Sequence, residues 1–112
     1  MGWKMFKIIG TKIFLTRGDT AFIDIKILRM DGTEYQLKAG DQVLFTVKKN
    51  ARDETVLFQK TPVDGIIKIS PADTDHLRFG DYVYDCQLRT YDGIVQTFIP
   101  PSLFRVTEEV TY

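Results

Sequence analysis

The stretch Gly80-Asp81-Tyr82-Val83-Tyr84-Asp85-Cys86-Gln87-Leu88-Arg89 carries the pattern that decides the fold. Tyr82, Tyr84, Cys86 and Leu88 alternate with Val83, Asp85, Gln87 and Arg89. Successive side chains on a strand point to opposite faces, so this segment presents one apolar face to a core. The same period of two recurs upstream. Ile23, Ile25 and Ile27 alternate with Asp24, Lys26 and Leu28, and Val43, Phe45 and Val47 alternate with Leu44, Thr46 and Lys48.

Turn residues separate these runs. Asp31-Gly32, Asp64-Gly65 and Asp92-Gly93 are hairpin dipeptides, because Gly accepts positive φ and Asp tolerates it. Gly18-Asp19, Gly40-Asp41 and Gly80-Asp81 each precede a strand-like run, a corner where Gly takes the special angle and Asp bonds back to nearby amides. The periodicity predicts strands near 11–16, 21–30, 33–37, 42–49, 55–61, 66–70, 81–90, 94–99 and 103–107. Pro100-Pro101 is expected to break or kink the last hairpin, since proline donates no ladder bond. One short helical turn is expected near 71–77, with Ser70 as N-cap and Pro71 at the first helical position. The echo between Leu28–Gly32 and Leu88–Gly93 reads as shared hairpin chemistry rather than duplication.

Short strands at regular spacing predict an all-β sandwich of seven to nine mostly antiparallel strands. Its expected core comprises Ile13, Leu15, Ile23, Ile25, Ile27, Val43, Phe45, Val47, Phe58, Ile67, Ile69, Tyr82, Tyr84, Cys86, Leu88 and Phe98. The 112 residues fit a single domain over 1–112, with a core that needs neither disulfide nor metal.

Fifteen basic side chains balance fifteen acidic ones. A nucleic-acid partner is not expected, because phosphate contacts call for a basic excess. Cys86 stands alone, so no intrachain disulfide forms and zinc lacks a second thiolate. No apolar run reaches membrane-spanning length, and Lys4 and Lys7 interrupt the start too early for a signal-peptide core. These features suit a protein made and kept in a reducing cytoplasm.

No arrangement for chemistry stands out, so neither catalysis nor a cofactor is expected. His76 is the only histidine, and Cys86 falls mid-strand on the core face. Asp73, Asp75 and His76 lack the further oxygens and the glycine of a calcium loop. Lys48, Lys49 and Arg52 are offset by Asp53 and Glu54 in a hairpin tip. Arg17-Gly18-Asp19 spells an adhesion tripeptide, but the Gly-Asp pair is already explained by its corner.

Partner contact is the better use of the residues left over. Trp3, Met5, Phe6, Ile8 and Ile9 form an apolar start that reads as either a docking segment or an extra edge strand within residues 1–10. Open sheet edges offer unpaired amides to a neighbour as well.

A family resemblance bears on this. Ile13-Phe14-Leu15-Thr16-Arg17-Gly18-Asp19-Thr20-Ala21-Phe22, then Asp31-Gly32 with Tyr35 and Leu37, then Asp41 through Lys49 resemble small phage and prophage proteins of Gram-positive bacteria. Asp73 through Leu77, Gly80 through Asp85, Leu88, Asp92-Gly93 and Thr97 continue the likeness, which is similar to the N-terminal immunoglobulin-like domain of tail baseplate upper proteins. The resemblance implies a non-enzymatic structural or assembly module, related to a tail or baseplate. Its partners would be copies of itself or other tail proteins, with homo-oligomers and association with the virion. It also sets Tyr84 and Cys86 where an immunoglobulin strand carries Tyr-x-Cys, although the partner cysteine is missing. The alternative is a carbohydrate- or protein-binding sandwich that uses the aromatics Trp3, Tyr35, Tyr91 and Tyr112.

Overall fold

A computed structural model describes residues 6–9, 12–29 and 31–108. Among these residues eight strands form: β1 (Phe6–Ile9), β2 (Lys12–Thr16), β3 (Ala21–Asp24), β4 (Gln42–Lys48), β5 (Phe58–Lys60), β6 (Ile66–Ile69), β7 (Gly80–Arg89) and β8 (Val95–Thr107). They make an all-β sandwich. One sheet has the order β1-β2-β8-β7-β4-β5, and the other pairs β3 with β6. Pairing is antiparallel except between β2 and β8, where Ile13 lies opposite Phe104 and Thr16 opposite Thr107.

The alternation of the opening stretch becomes alternating burial. Tyr82, Tyr84, Cys86 and Leu88 are buried, while Asp81 and Arg89 are exposed. Phe45 and Val47 on β4, Phe104 and Val106 on β8, and Ile13 and Leu15 on β2 complete the inner face of the large sheet. Ala21, Ile23, Ile67 and Ile69 supply the facing layer from β3 and β6. Aromatic rings fill the middle: Phe45 stacks on Tyr84 at 5.0 Å, and Phe104 meets Phe58 edge-on at 6.0 Å. Full burial of a side chain such as Phe45 or Phe104 stabilises the fold by about 1.5–3 kcal/mol through removal from water.

The strand expected over 21–30 ends at Asp24, and three further features differ from the sequence expectation. Residues 33–37 form no strand; Leu28 and Glu34 make an isolated bridge, and Tyr35 N–H donates to Ile27 O at 2.8 Å. The segment instead turns on side-chain bonds, because Asp41 accepts from both Tyr35 Oη–H at 2.7 Å and Lys38 N–H at 2.9 Å. Pro100 and Pro101 do not divide the last hairpin. Strand β8 runs through them, and the register against β7 shifts between Tyr84 and Gln87. Extra residues in a bulge break the ladder locally, and β2 pairs with β8 only from Phe104, so neither proline has to donate. Finally, Ile25, Phe58 and Phe98 are only partly buried against the core, Ile27 is half-buried, and Ala21, Leu77, Phe104 and Val106 join it.

The helical turn α1 (Pro71–Thr74) forms inside the expected 71–77 range. Ser70 N–H donates to Asp73 Oδ2 at 2.7 Å, and Lys60 Nζ sits 2.8 Å from the same oxygen.

A candidate docking end

The register divides the sandwich into two ends. Gly80 lies beside Val106 at one end, and Arg89 lies beside Gln42 at the other. The first, here the corner end, holds α1 and the β2–β3 turn. The second, the loop end, holds residues 25–41, the turn before β6 and the β7–β8 hairpin.

At the corner end the side chains satisfy one another. Gly18 has φ +84°, and its N–H donates to the Oγ1 of fully buried Thr74 at 3.0 Å. Arg17 Nη1–H donates to Leu77 O at 3.4 Å, and its guanidinium lies 4.3 Å from the Phe79 ring centre. The Arg17-Gly18-Asp19 triplet is thus built into the corner. Tyr82 Oη–H donates to Arg78 O at 2.7 Å, and Lys49 Nζ sits 5.0 Å from its ring centre. A hydroxyl bonded back to the corner before its strand is the tyrosine corner of immunoglobulin-like sandwiches. It belongs to Tyr82, not to Tyr84 of the Tyr84-x-Cys86 pair.

The loop end is made of three turns. Arg29 N–H donates to Thr33 O and Gly32 N–H to Arg29 O; Thr90 N–H donates to Ile94 O and Gly93 N–H to Thr90 O. These matching bonds are the shared hairpin chemistry seen in the sequence echo. Asp64 and Gly65, at φ +53° and +77°, form a two-residue turn closed by Val63 and Ile66. Gly40 brings the loops together, since a Cβ there would lie 2.7 Å from Tyr91 Cβ.

Ten large apolar side chains are exposed among the described residues, and seven lie at the loop end: Leu28, Leu37, Val63, Ile66, Tyr91, Ile94 and Val95. Tyr91 is 77% exposed and Val63 74%. Scattered exposed apolar residues are ordinary; these seven belong to loops and strand ends that share one end of the sandwich. Between these loops lies an open groove of about 320 Å³. Ile25, Ile27, Leu37, Val43 and Pro62 line it beside polar groups that make up more than half of its exposed surface, and its two charged lining residues, Glu34 and Asp64, are both acidic.

The other candidates are placed as follows. Cys86 is fully buried, and burial pushes its thiol up to about 12, which disfavours the thiolate needed for nucleophilic work. His76 is exposed on the turn after α1, with Nδ1 3.6 Å from Asp75 Oδ1, and is not brought to Cys86. Among the described residues no three His, Cys, Asp or Glu side chains gather as a metal site, and no helix is long and apolar enough to cross a membrane. Tyr35 carries Arg29 and Lys38 at 5.5 and 6.0 Å from its ring centre, which crowds the faces a sugar would stack on.

The backbone of Phe6, Ile8 and Ile9 forms the edge strand β1, with Phe6 opposite Leu15. Trp3 and Met5, like Tyr112, lie outside the described residues. Comparison with protein-family models, curated proteins and solved structures returns no match. Sequence reading did not single out the loop end. Its apolar residues are separated along the chain, and only the register of β4, β7 and β8 brings them to one place.

Proposed function

We propose that this chain is a non-enzymatic assembly module that binds protein through its loop end. The carrying observation is that seven exposed apolar side chains belong to the loops at one end, with Leu37 among them lining the groove, while the opposite end satisfies its own. Interfaces use an apolar centre within a polar rim, and Arg29, Lys38 and Asp92 supply such a rim here. The buried Cys86 and the distant, exposed His76 favour binding over catalysis. The narrower assignment, a structural module of a phage tail or baseplate, rests on the sequence resemblance over residues 11–106.

The test is light scattering coupled to size exclusion over a wide range of protein concentration. Self-association that Tyr91→Ser and Val63→Ser weaken is the expected result. A chain that stays monomeric throughout, or an association indifferent to both substitutions, overturns the reading.

A further inference from the structure

The structure assigns a modification site: of three exposed Asp-Gly pairs, Asp64-Gly65 is the one that rearranges to isoaspartate in the folded chain. The pairs are Asp31-Gly32, Asp64-Gly65 and Asp92-Gly93. At each, glycine has no side chain to crowd its nitrogen, and that nitrogen can attack the carboxyl of the preceding aspartate. The bond from Gly N to Asp Cγ forms, the Cγ–OH bond breaks, and the amide proton leaves with the hydroxyl as water. Water then opens the five-membered imide. Addition at Cγ restores aspartate. Addition at the α-carbonyl leaves a free α-carboxyl and a main chain that runs on through Cβ and Cγ. The sequence of steps needs no reactant besides water.

Exposure does not separate the three sites, since both residues of every pair are exposed. Hydrogen bonding does. Gly32 N–H donates to Arg29 O at 2.9 Å, and Asp31 Oδ1 accepts from Thr33 N–H at 3.0 Å and from Thr33 Oγ1–H at 2.6 Å. Gly93 N–H donates to Thr90 O at 3.0 Å, and Asp92 Oδ1 accepts from Thr90 Oγ1–H. In both turns the attacking nitrogen and the carboxyl are tied to other partners and must be released before they can meet. The Thr33 hydroxyl, followed by the Thr33 amide, also holds the Asp31 carboxyl below its ordinary range, and an ionised carboxylate has no hydroxyl to give up.

Neither restraint acts at Asp64-Gly65. Among the described residues, Gly65 N–H donates to no group and the Asp64 carboxylate accepts from none. The turn is closed by its flanks instead, with Val63 N–H on Ile66 O at 2.9 Å and Ile66 N–H on Val63 O at 3.0 Å. Asp64, at φ +53°, is also the only non-glycine residue at positive φ among the described residues. An L residue holds that angle at a cost, which leaving it during ring closure recovers. The product places one extra backbone carbon in a two-residue turn directly before β6, where Gly65 O takes the Ile25 amide at 2.9 Å. Turn length sets hairpin register, so the change should loosen the start of β6.

The experiment incubates the full chain at physiological temperature and pH and maps its peptides by liquid chromatography and mass spectrometry. The imide shows as loss of one water, and isoaspartate as a shifted peak of unchanged mass that accepts a methyl group from an isoaspartyl methyltransferase. Isoaspartate should build up at Asp64 at least about fivefold faster than at Asp31 or Asp92, the factor that one hydrogen bond imposes on a step that must break it. In denaturant the three rates should converge, because the bonds that separate them are gone. Thr90→Val and Thr33→Val keep the branched shape and remove a hydroxyl from Asp92 and Asp31. With folding verified by circular dichroism, each should raise the rate at its own aspartate and leave Asp64 unchanged. No isoaspartate at Asp64, or a rate at Asp31 or Asp92 that equals it in the folded chain, overturns the assignment. An ordering that persists in denaturant does so too, since it would arise from neighbouring sequence and not from the fold. No rise at the released aspartate in either folded variant overturns the role given to the hydrogen bonds.

Discussion

The corner end and the loop end are built with similar turn chemistry and dispose of it differently. At the corner end Gly18 hands its amide to a buried threonine, Arg17 covers Phe79, and Tyr82 returns its hydroxyl to Arg78. At the loop end Gly40 lets Tyr91 approach, yet Tyr91 itself, with Val63, Ile94 and Val95, remains exposed. A polar group buried without a partner costs stability, so an end packed onto the core must pair its amides. An exposed loop has no such obligation and is free to present apolar surface to a partner. The difference separates the part of the molecule that holds the fold from the part we assign to binding.

Substitutions at the two ends should then behave unlike one another. Thr74→Val keeps the shape of a fully buried side chain but removes the acceptor of the Gly18 amide. It should cost about 1–3 kcal/mol in denaturant unfolding, the usual cost of a buried donor left unpaired. A smaller loss would mean that water replaces the hydroxyl and that the corner is less closed than it looks. Gly40→Ala forces an L side chain to φ +87° and against Tyr91. It should cost about 1–2 kcal/mol, and, because it displaces Tyr91, it should weaken association too. Tyr82→Phe deletes the corner hydrogen bond and should cost about 0.5–1.5 kcal/mol with no effect on association. Val63→Ser should leave stability within about 0.5 kcal/mol while weakening association. A large stability loss from this last change would erase the division between the ends.

Acid offers the subtlest comparison. The Tyr35 hydroxyl, followed by the Lys38 amide, holds the Asp41 carboxyl below its ordinary range. A depressed carboxyl contributes order that is present above its unfolded value and is lost as pH falls through its folded value. The protection of the Lys38 amide from hydrogen exchange, taken against its intrinsic rate at each pH, should therefore hold on mild acidification and fall only below the ordinary aspartate range. Asp41→Asn should lower that protection at neutral pH. The Gly18 amide, bonded to a hydroxyl that does not titrate, should show no such step in either protein.

Local pattern was enough for much of this. The alternation of Tyr82 through Leu88 and of Val43 through Val47 reappears as strands with one buried face, and Ser70-Pro71 opens a helical turn. Asp64-Gly65 closes a tight turn because its two residues accept positive φ. Such features depend on neighbours one to four residues away, which sequence displays directly. Residues 33–37 misled because, among the described residues, their only ladder contact is the isolated Leu28–Glu34 bridge, and Asp41 ties Tyr35 and Lys38 into a turn. Pro100-Pro101 misled because the tolerance of proline depends on which side of β8 is paired, a matter of register.

The sequence by itself determined the all-β class, the turns and most of the core, since each follows from local periodicity and backbone preference. It also showed an apolar, basic start at Trp3–Lys7 without saying what that start could meet. Only the tertiary structure decided that β2 joins β8 in parallel, that the tyrosine corner falls to Tyr82, and that one end is apolar and grooved. Those outcomes rest on contacts between residues tens of positions apart. Pairing register and the entropy of closing long loops choose such contacts, and no short stretch of chain encodes them.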